Sequence, residues 1–350
     1  MRSDMPPRAA DTTLMFAEAA EAGDVMERQQ RLNVDVVGRI ADSLHAARPP
    51  VVLTCARGSS DHAATYARYL IETRLGIVTG SIAPSVGSVY GATPDATGAV
   101  CIAISQSGQS PDLLATARQL RARGSRIVAL VNAADSPLAE SADHVVPLQA
   151  GIEASVAATK SYLASLHAAT MIVNAAAPDQ LPASAIADAP ALAREAWELD
   201  WSPLADRLRD ARGLYVIGRG IGLAAAQEAA LKFKETCGLQ AEAFSAAEVR
   251  HGPMALVGND FPLLVFRQDD ESAAGIDALV RDAVARGGRV LVAGGEPMPG
   301  VTVLPVQRAA PVLQPLLQVQ TFYRAVNELA IARGMDPDRP PNLRKVTETV

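Results

Sequence analysis

The stretch "VVLTCARGSSDHAATYARYL" (51–70) decides the fold, because it reads as strand, turn and helix in immediate succession. Val51-Val52-Leu53-Thr54-Cys55 is a short, nearly unbroken apolar run that starts at Pro49-Pro50. A run of that kind has no polar face, as expected of a parallel strand covered on both sides. Arg57-Gly58-Ser59-Ser60 makes the turn, and helical spacing follows from about Asp61 to Arg74. The same order returns downstream. Strands are predicted over Val100–Ser105, Arg126–Asn132 and Val145–Leu148, with a helix over Pro111–Arg123. Alternation of this kind specifies an α/β fold, a doubly wound parallel sheet with helices on both faces.

The deciding stretch has a second copy. "LYVIGRGIGLAAAQEAALKF" (214–233) lines up with it, Arg57-Gly58 falling on Arg219-Gly220 at an offset of 162. Independently, "ARGSRIVALV" (122–131) matches "ARGGRVLVAG" (285–294) at an offset of 163. Two matches at nearly one offset predict two tandem α/β units, joined across a helical region near 155–211. Upstream, residues 1–13 are expected to be a disordered lead. Apolar spacing from Leu14 to about Leu44 predicts two N-terminal helices. The expected boundaries are 14–48 for these helices, 49–195 and 196–335 for the two units, and 336–350 for a C-terminal tail.

Composition narrows the function classes. The 350 residues are 49% apolar and 20% charged, with a formal charge of −6. An acidic chain has no global attraction for nucleic acid or an anionic membrane, so any phosphate must be held by local geometry. No apolar stretch approaches the ~20 residues of a membrane span, and Met1–Thr13 lacks a signal-peptide core. A cytoplasmic protein with neither nucleic-acid nor membrane partner is expected. Cys55, Cys101 and Cys237 are widely spaced and suit neither a disulfide framework nor a zinc site. The five histidines form no metal-binding spacing, so no metal is expected. A P-loop is absent, and Gly218-x-Gly220-x-Gly222 lacks the spacing of a dinucleotide site.

The two copies differ in their chemistry. In the first, the turn after the central strand is Ser105-Gln106-Ser107-Gly108-Gln109-Ser110, followed by Pro111 at a helix start. In the second it is Phe266-Arg267-Gln268-Asp269-Asp270-Glu271. Hydroxyls at a helix N-terminus favour an anion, whereas carboxylates repel one. Ser59 and Ser60 occupy the equivalent turn of the preceding strand. Ser, Gly and Pro also build ordinary turns and caps, so a purely structural reading stays open.

A second constellation lies in the second copy. Glu228, Lys232 and Glu235 are spaced i, i+4 and i+7 and share one helical face. A surface Glu–Lys pair is the commoner outcome of such spacing. His251 precedes Gly252-Pro253, a helix-ending signal, and is open to a structural or a catalytic reading.

"SQSGQS" (105–110), "AGIEASVAATK" (150–160), "EAALKFKE" (228–235), "AEAFSAAEVRHGPMAL" (241–256) and "PPNLRKVTETV" (340–350) together resemble the sugar-isomerase (SIS) domain family. The resemblance is to the isomerase half of glucosamine-6-phosphate synthase, from about residue 14 to the C-terminus. It implies two tandem flavodoxin-like SIS domains and no cofactor. By position it implies that Ser59, Ser60, Ser105, Gln106, Ser107 and Ser110 hold the sugar phosphate and nearby hydroxyls. Glu235 would move the proton between C1 and C2. His251 would open the sugar ring from the neighbouring subunit of a homodimer, and Lys345 could form an imine with the open-chain sugar. Val156 and Lys232 would lie near substrate. Ala158 departs from the usual serine of the "VASTK" loop, Arg344 replaces a small residue, and Ala22-Gly23 stands for Gln-Pro.

These residue types suit ketose–aldose chemistry: a carboxylate to shuttle a proton, an imidazole for ring opening, an amine for an imine. With no glutaminase segment in the sequence, the expected reaction is glucosamine 6-phosphate plus water to fructose 6-phosphate plus ammonia. Two alternatives stay open: a fructosamine 6-phosphate deglycase or galactosamine 6-phosphate enzyme on the same scaffold, and a non-catalytic sugar-phosphate sensor.

Overall fold

The computed structural model describes residues 9–345. The chain forms two compact units. The N-terminal unit takes Ala22–Glu153 and Lys160–Ala191; the C-terminal unit takes the described residues up to Glu21, with Ala154–Thr159 and Leu192–Lys345.

The N-terminal unit carries β1 (Val52–Cys55), β2 (Thr79–Ser81), β3 (Val100–Ser105), β4 (Arg126–Val131) and β5 (His144–Pro147). All are parallel, in the order β2-β1-β3-β4-β5. Every residue of β3 is buried, as its unbroken apolar sequence requires. Small side chains dominate this core, with Cys55, Cys101, Ala103 and Ala129 packed against Leu113, Leu120 and Ile127.

The C-terminal unit carries β6 (Gly213–Gly218), β7 (Gln240–Ser245), β8 (Pro262–Phe266), β9 (Arg289–Ala293) and β10 (Val301–Leu304). Its sheet is again parallel, ordered β10-β9-β8-β6-β7. Read from the β7 edge, this is the strand order of the first sheet, so the internal repeat is a repeat of topology. In both, the order reverses beside the first strand, at β1/β3 and β6/β8. Those are the places where a doubly wound sheet binds ligands, beyond the strand carboxyl ends. Each unit also has one long helix buried nearly all round, Lys160–Ala176 and Gln314–Ala332. Their polar side chains are buried with them, among them His167, Thr170, Gln318 and Asn327.

Three differences from the sequence expectation are instructive. The lead is ordered from residue 9: Ala10–Thr12 forms a 3₁₀ turn and Thr13 caps the helix Leu14–Ala20 by accepting from the Phe16 N–H. The Thr13 hydroxyl also donates to Asn327 Oδ1 at 2.7 Å, a contact no local pattern announces. Residues 1–8 lie outside the described residues, as do 346–350 of the tail. Second, three helices replace the expected two: Leu14–Ala20, Ala22–Leu32 and Val34–Ala47. The last break falls at Asn33, whose side chain turns away to donate to the Pro147 carbonyl at 2.8 Å. Third, these helices are divided, Leu14–Ala20 belonging to the C-terminal unit and the other two to the N-terminal unit.

Candidate functional site

The serine turns sit where the N-terminal unit reverses its strand order. Gly58, with φ 55°, lets the chain leave β1 so that Ser59 and Ser60 begin the helix Ser59–Leu70. One strand over, Ser105 ends β3, and its hydroxyl accepts from the Gly108 N–H at 2.9 Å. The Ser107 hydroxyl accepts from the Gln109 N–H at 3.3 Å. Gly108 has φ 64°, and a Cβ there would lie 2.1 Å from Ser136 Oγ, so the turn admits no side chain. Ser110 stands at the N-cap of the helix Pro111–Ala122, yet its hydroxyl makes no capping bond. The six polar residues read from the sequence, Ser59, Ser60, Ser105, Gln106, Ser107 and Ser110, thus share one sheet edge.

Arg57 and Asp112, which the sequence reading passed over, brace this edge. Arg57 Nε and Nη2 both donate to Asp112 Oδ2, at 3.0 and 2.8 Å. Asp112 Oδ1 accepts from the Leu113 N–H. The Asp112 side chain is 2% exposed and that of Arg57 52%.

The acid–base candidates Glu235 and His251 belong to the C-terminal unit. On the helix Gly222–Cys237, Lys232 Nζ lies 2.6 Å from Glu235 Oε2 and 3.2 Å from Glu228 Oε1. From spacing alone, a surface Glu–Lys pair is the commoner outcome. The structure corrects it: Glu228 and Lys232 are 0% exposed and Glu235 only 20%. Burial opposes the charge on Lys232, but the carboxylates of Glu228 and Glu235 outweigh it and hold the ammonium well above its usual range. Tyr323, on the buried helix Gln314–Ala332, donates its hydroxyl to Glu228 Oε1 at 2.9 Å. Of the three ionic groups, Glu235 alone reaches solvent.

Val156 and Lys345 are anchored together. The Val156 N–H donates to the Asp338 carbonyl at 3.2 Å, and Lys345 Nζ donates to the Ser155 carbonyl at 2.7 Å. Glu18 fixes this loop by accepting the Ala154 N–H at 2.5 Å and the Ser155 N–H at 3.2 Å. The Asp338 carboxylate caps the helix Leu14–Ala20 through the Leu14 and Met15 N–H groups. Glu18 and Asp338 lie far from this loop in sequence, and spacing gave no sign of their role.

His251 is exposed, between the 3₁₀ turns Glu248–Arg250 and Pro253–Leu256. Among the described residues, no hydrogen bond or ion pair joins its ring to Glu235 or Lys345.

Other features carry less chemistry. The three cysteines are free and buried, and burial pushes the Cys55 and Cys237 thiols up to about 12. Among the described residues no group of three or more His, Cys, Asp or Glu is placed to hold a metal ion. No helix of the described residues is long and apolar enough to cross a membrane. A cavity of about 220 Å³ lies beside β9 and β10, lined in part by Arg267, Asp277 and Glu296. It contains none of the sequence-predicted residues, and its Arg267 is bonded by two carboxylates, Asp269 and Asp277.

Comparison with known proteins agrees with this architecture. A candidate phosphosugar isomerase from Silicibacter pomeroyi DSS-3 superposes with a TM-score of 0.89 at 38% identity, covering 93% of this chain and all of that one. The glucosamine-6-phosphate deaminase of Thermotoga maritima shares the fold, with a TM-score of 0.79 at 20% identity over 96% of this chain and 100% of its own. The glutamine–fructose-6-phosphate aminotransferase of Aeropyrum pernix is 34% identical over 323 residues, 84% of this chain and 50% of the relative. This chain therefore spans about half the length of the aminotransferase relatives it matches. The SIS domain description matches residues 47–175, spanning β1–β5, and 207–296, spanning β6–β9, and the chain belongs to the SIS domain family.

Proposed function

We propose that the protein is a sugar-phosphate isomerase that acts on an amino sugar, converting glucosamine 6-phosphate and water to fructose 6-phosphate and ammonia. The observation that carries this reading is the buried Glu228–Lys232–Glu235 cluster, in which only Glu235 is open to a ligand. An isolated ion cluster with two members fully desolvated is a costly way to stabilise a helix. It is a sound way to hold one carboxylate still.

In this reading the serine turns hold the phosphate through hydroxyls and the N–H groups of a helix start. His251, supplied by a second copy of the chain in a homodimer, moves the protons that open the ring. Glu235 takes the C2 proton of the open-chain aldose and returns it to C1, leaving a C2 imine. Water adds to that imine and ammonia leaves, which balances the reaction. Lys345, released from the Ser155 carbonyl, is the amine available to an open-chain carbonyl, with Val156 beside it. No cofactor is needed for these steps.

The test is the purified protein with glucosamine 6-phosphate, following ammonia and fructose 6-phosphate together. Equal release of the two supports the assignment. Turnover of glycated-amine or galactosamine phosphates alone would move the substrate. Tight binding with no turnover of any of them would make the protein a sensor.

A further inference from the structure

The serine turns are uncharged, yet a phosphate ester near neutral pH carries close to two negative charges. Hydroxyls and helix N–H groups supply only partial charges to such a ligand. Across 55–62 and 105–112, the residues of the two turns and their helix starts, the permanently charged cation is Arg57. We propose that Arg57 is the specificity-determining residue of the serine site, selecting substrates by a doubly charged phosphate ester. This rests on the phosphosugar reading given above and assigns one residue within it.

The geometry supports this role in three ways. First, Arg57 leaves β1 immediately before Gly58 and Ser59, so its backbone is part of the turn that presents Ser59 and Ser60. Second, its side chain is held. Two of its five N–H donors go to a single oxygen of Asp112, which is itself buried in the first turn of the helix after Ser110. One edge of the guanidinium is thereby fixed across the β1/β3 reversal, and the other N–H groups stay available on a side chain 52% exposed. Holding a long side chain in advance reduces the ordering cost of binding. Third, the neighbouring charges leave the guanidinium in demand. Burial raises the Asp61 carboxyl, and Arg57 is one of the two neighbours that pull it back toward its charged form, so the two groups feel one another. Asp61 and Asp112 would repel a phosphate if Arg57 did not stand beside them.

The second copy provides an internal control. Arg219 is the repeat equivalent of Arg57. Its Nε lies 4.0 Å from the position a Cβ on Gly275 would take, over the first turn of the helix Ala273–Ala285. At the offset of 162 the counterpart of Asp112 is Ala274, and carboxylates occupy the turn. The arginine is retained there without its anchor or hydroxyls, so it has no phosphate to select.

The experiment compares wild type with Arg57→Met, Arg57→Lys and Arg219→Met. Inorganic phosphate and glucosamine 6-phosphate binding are measured by calorimetry, beside KM and kcat. Arg57→Met should weaken both ligands and raise KM about 30-fold while kcat changes less than threefold, since a charge-assisted contact present throughout the reaction affects binding uniformly. It should also flatten the salt dependence of binding. Arg57→Lys should recover only part of the affinity, a point charge replacing a planar fork. Arg219→Met should bind like wild type. Arg57→Met or Arg57→Lys with wild-type melting and wild-type phosphate affinity would overturn the assignment and leave the phosphosugar reading standing. If Arg57→Met fails to fold, full affinity in Arg57→Lys overturns the proposal and a partial loss supports it. Wild type that binds neither ligand overturns both.

Discussion

The two strand-order reversals of this chain have the same topology and opposite contents. At β1/β3 the turn is built from hydroxyls around a Gly108 that cannot carry a side chain. At β6/β8 the equivalent space is filled from within. Gln268 is fully buried and donates to Gln318 at 2.7 Å, and a Cβ on Gly222 would lie 1.9 Å from Gln268 Oε1. Asp269 and Asp277 occupy Arg267. The first reversal is open and suited to an anion; the second is closed and acidic. The scaffold is present twice, and its side chains make the first copy the one we propose for the phosphate.

The helices that follow the first strand of each sheet invert this contrast. In the N-terminal unit Tyr66 bonds Thr170 of the buried helix, hydroxyl to hydroxyl at 2.9 Å. At the offset of 162 its counterpart is Glu228, which takes its bond from Tyr323 of the other buried helix. A neutral joint in one unit is an ionic one in the other. The groups proposed for binding are concentrated in one copy and those proposed for acid–base chemistry in the other.

Four substitutions test that division. Glu235→Gln is expected to have the largest effect, lowering kcat about 10³-fold and abolishing proton exchange at C2 with binding retained. Solvent-isotope incorporation reads it directly, and unchanged exchange would remove Glu235 from the chemistry. Lys232→Met should come next, since it strands the buried Glu228 carboxylate at a cost of about 3–5 kcal/mol in urea unfolding. The pH dependence has a definite sign. Lys232 is raised in the fold, so its contribution is full below its ordinary 10.5 and lost as pH rises through the higher folded value. Wild type should therefore weaken on the alkaline side of 10.5, and Lys232→Met should lack that decline.

Ser107→Asp copies the second reversal into the first, placing a carboxylate where Asp269 stands in the repeat. Like-charge juxtaposition costs several kcal/mol, so phosphate affinity should fall about 100-fold with melting little changed. Full affinity would show that the hydroxyl turn is only a turn. Gly222→Ala is the smallest, about 1–3 kcal/mol of stability, because the new methyl displaces Gln268. Melting as stable as wild type would mean the second reversal is not closed as described.

Much of this was legible in the chain. The strand Val100–Ser105 ends at the hydroxyl that begins the candidate site, because a continuous apolar run stopped by a polar turn is unambiguous. The placement of the serines at the strand ends was legible for the same reason. The burial of Glu228 and Lys232 was not. An i,i+4 pair has the same spacing on a surface and in a core, and what closes over this one includes Tyr323, 95 residues from Glu228. Glu18 and Asp338 act on backbone N–H groups, which have no sequence signature at all. Arg57 stood in the deciding stretch and was used only to align the repeat. Its significance depends on Asp112, 55 residues on.

The paired buried helices have a consequence for how each unit breathes. An amide inside Lys160–Ala176 or Gln314–Ala332 has no solvent-facing side from which to fray, so it exchanges only when its surroundings open as a body. In deuterium labelling these two segments should be the last to lose protons, while the turns at 57–60 and 106–110 label early. A chain of this kind keeps its slowest clock in the buried helix of each unit and its fastest at the sheet edge proposed for the ligand.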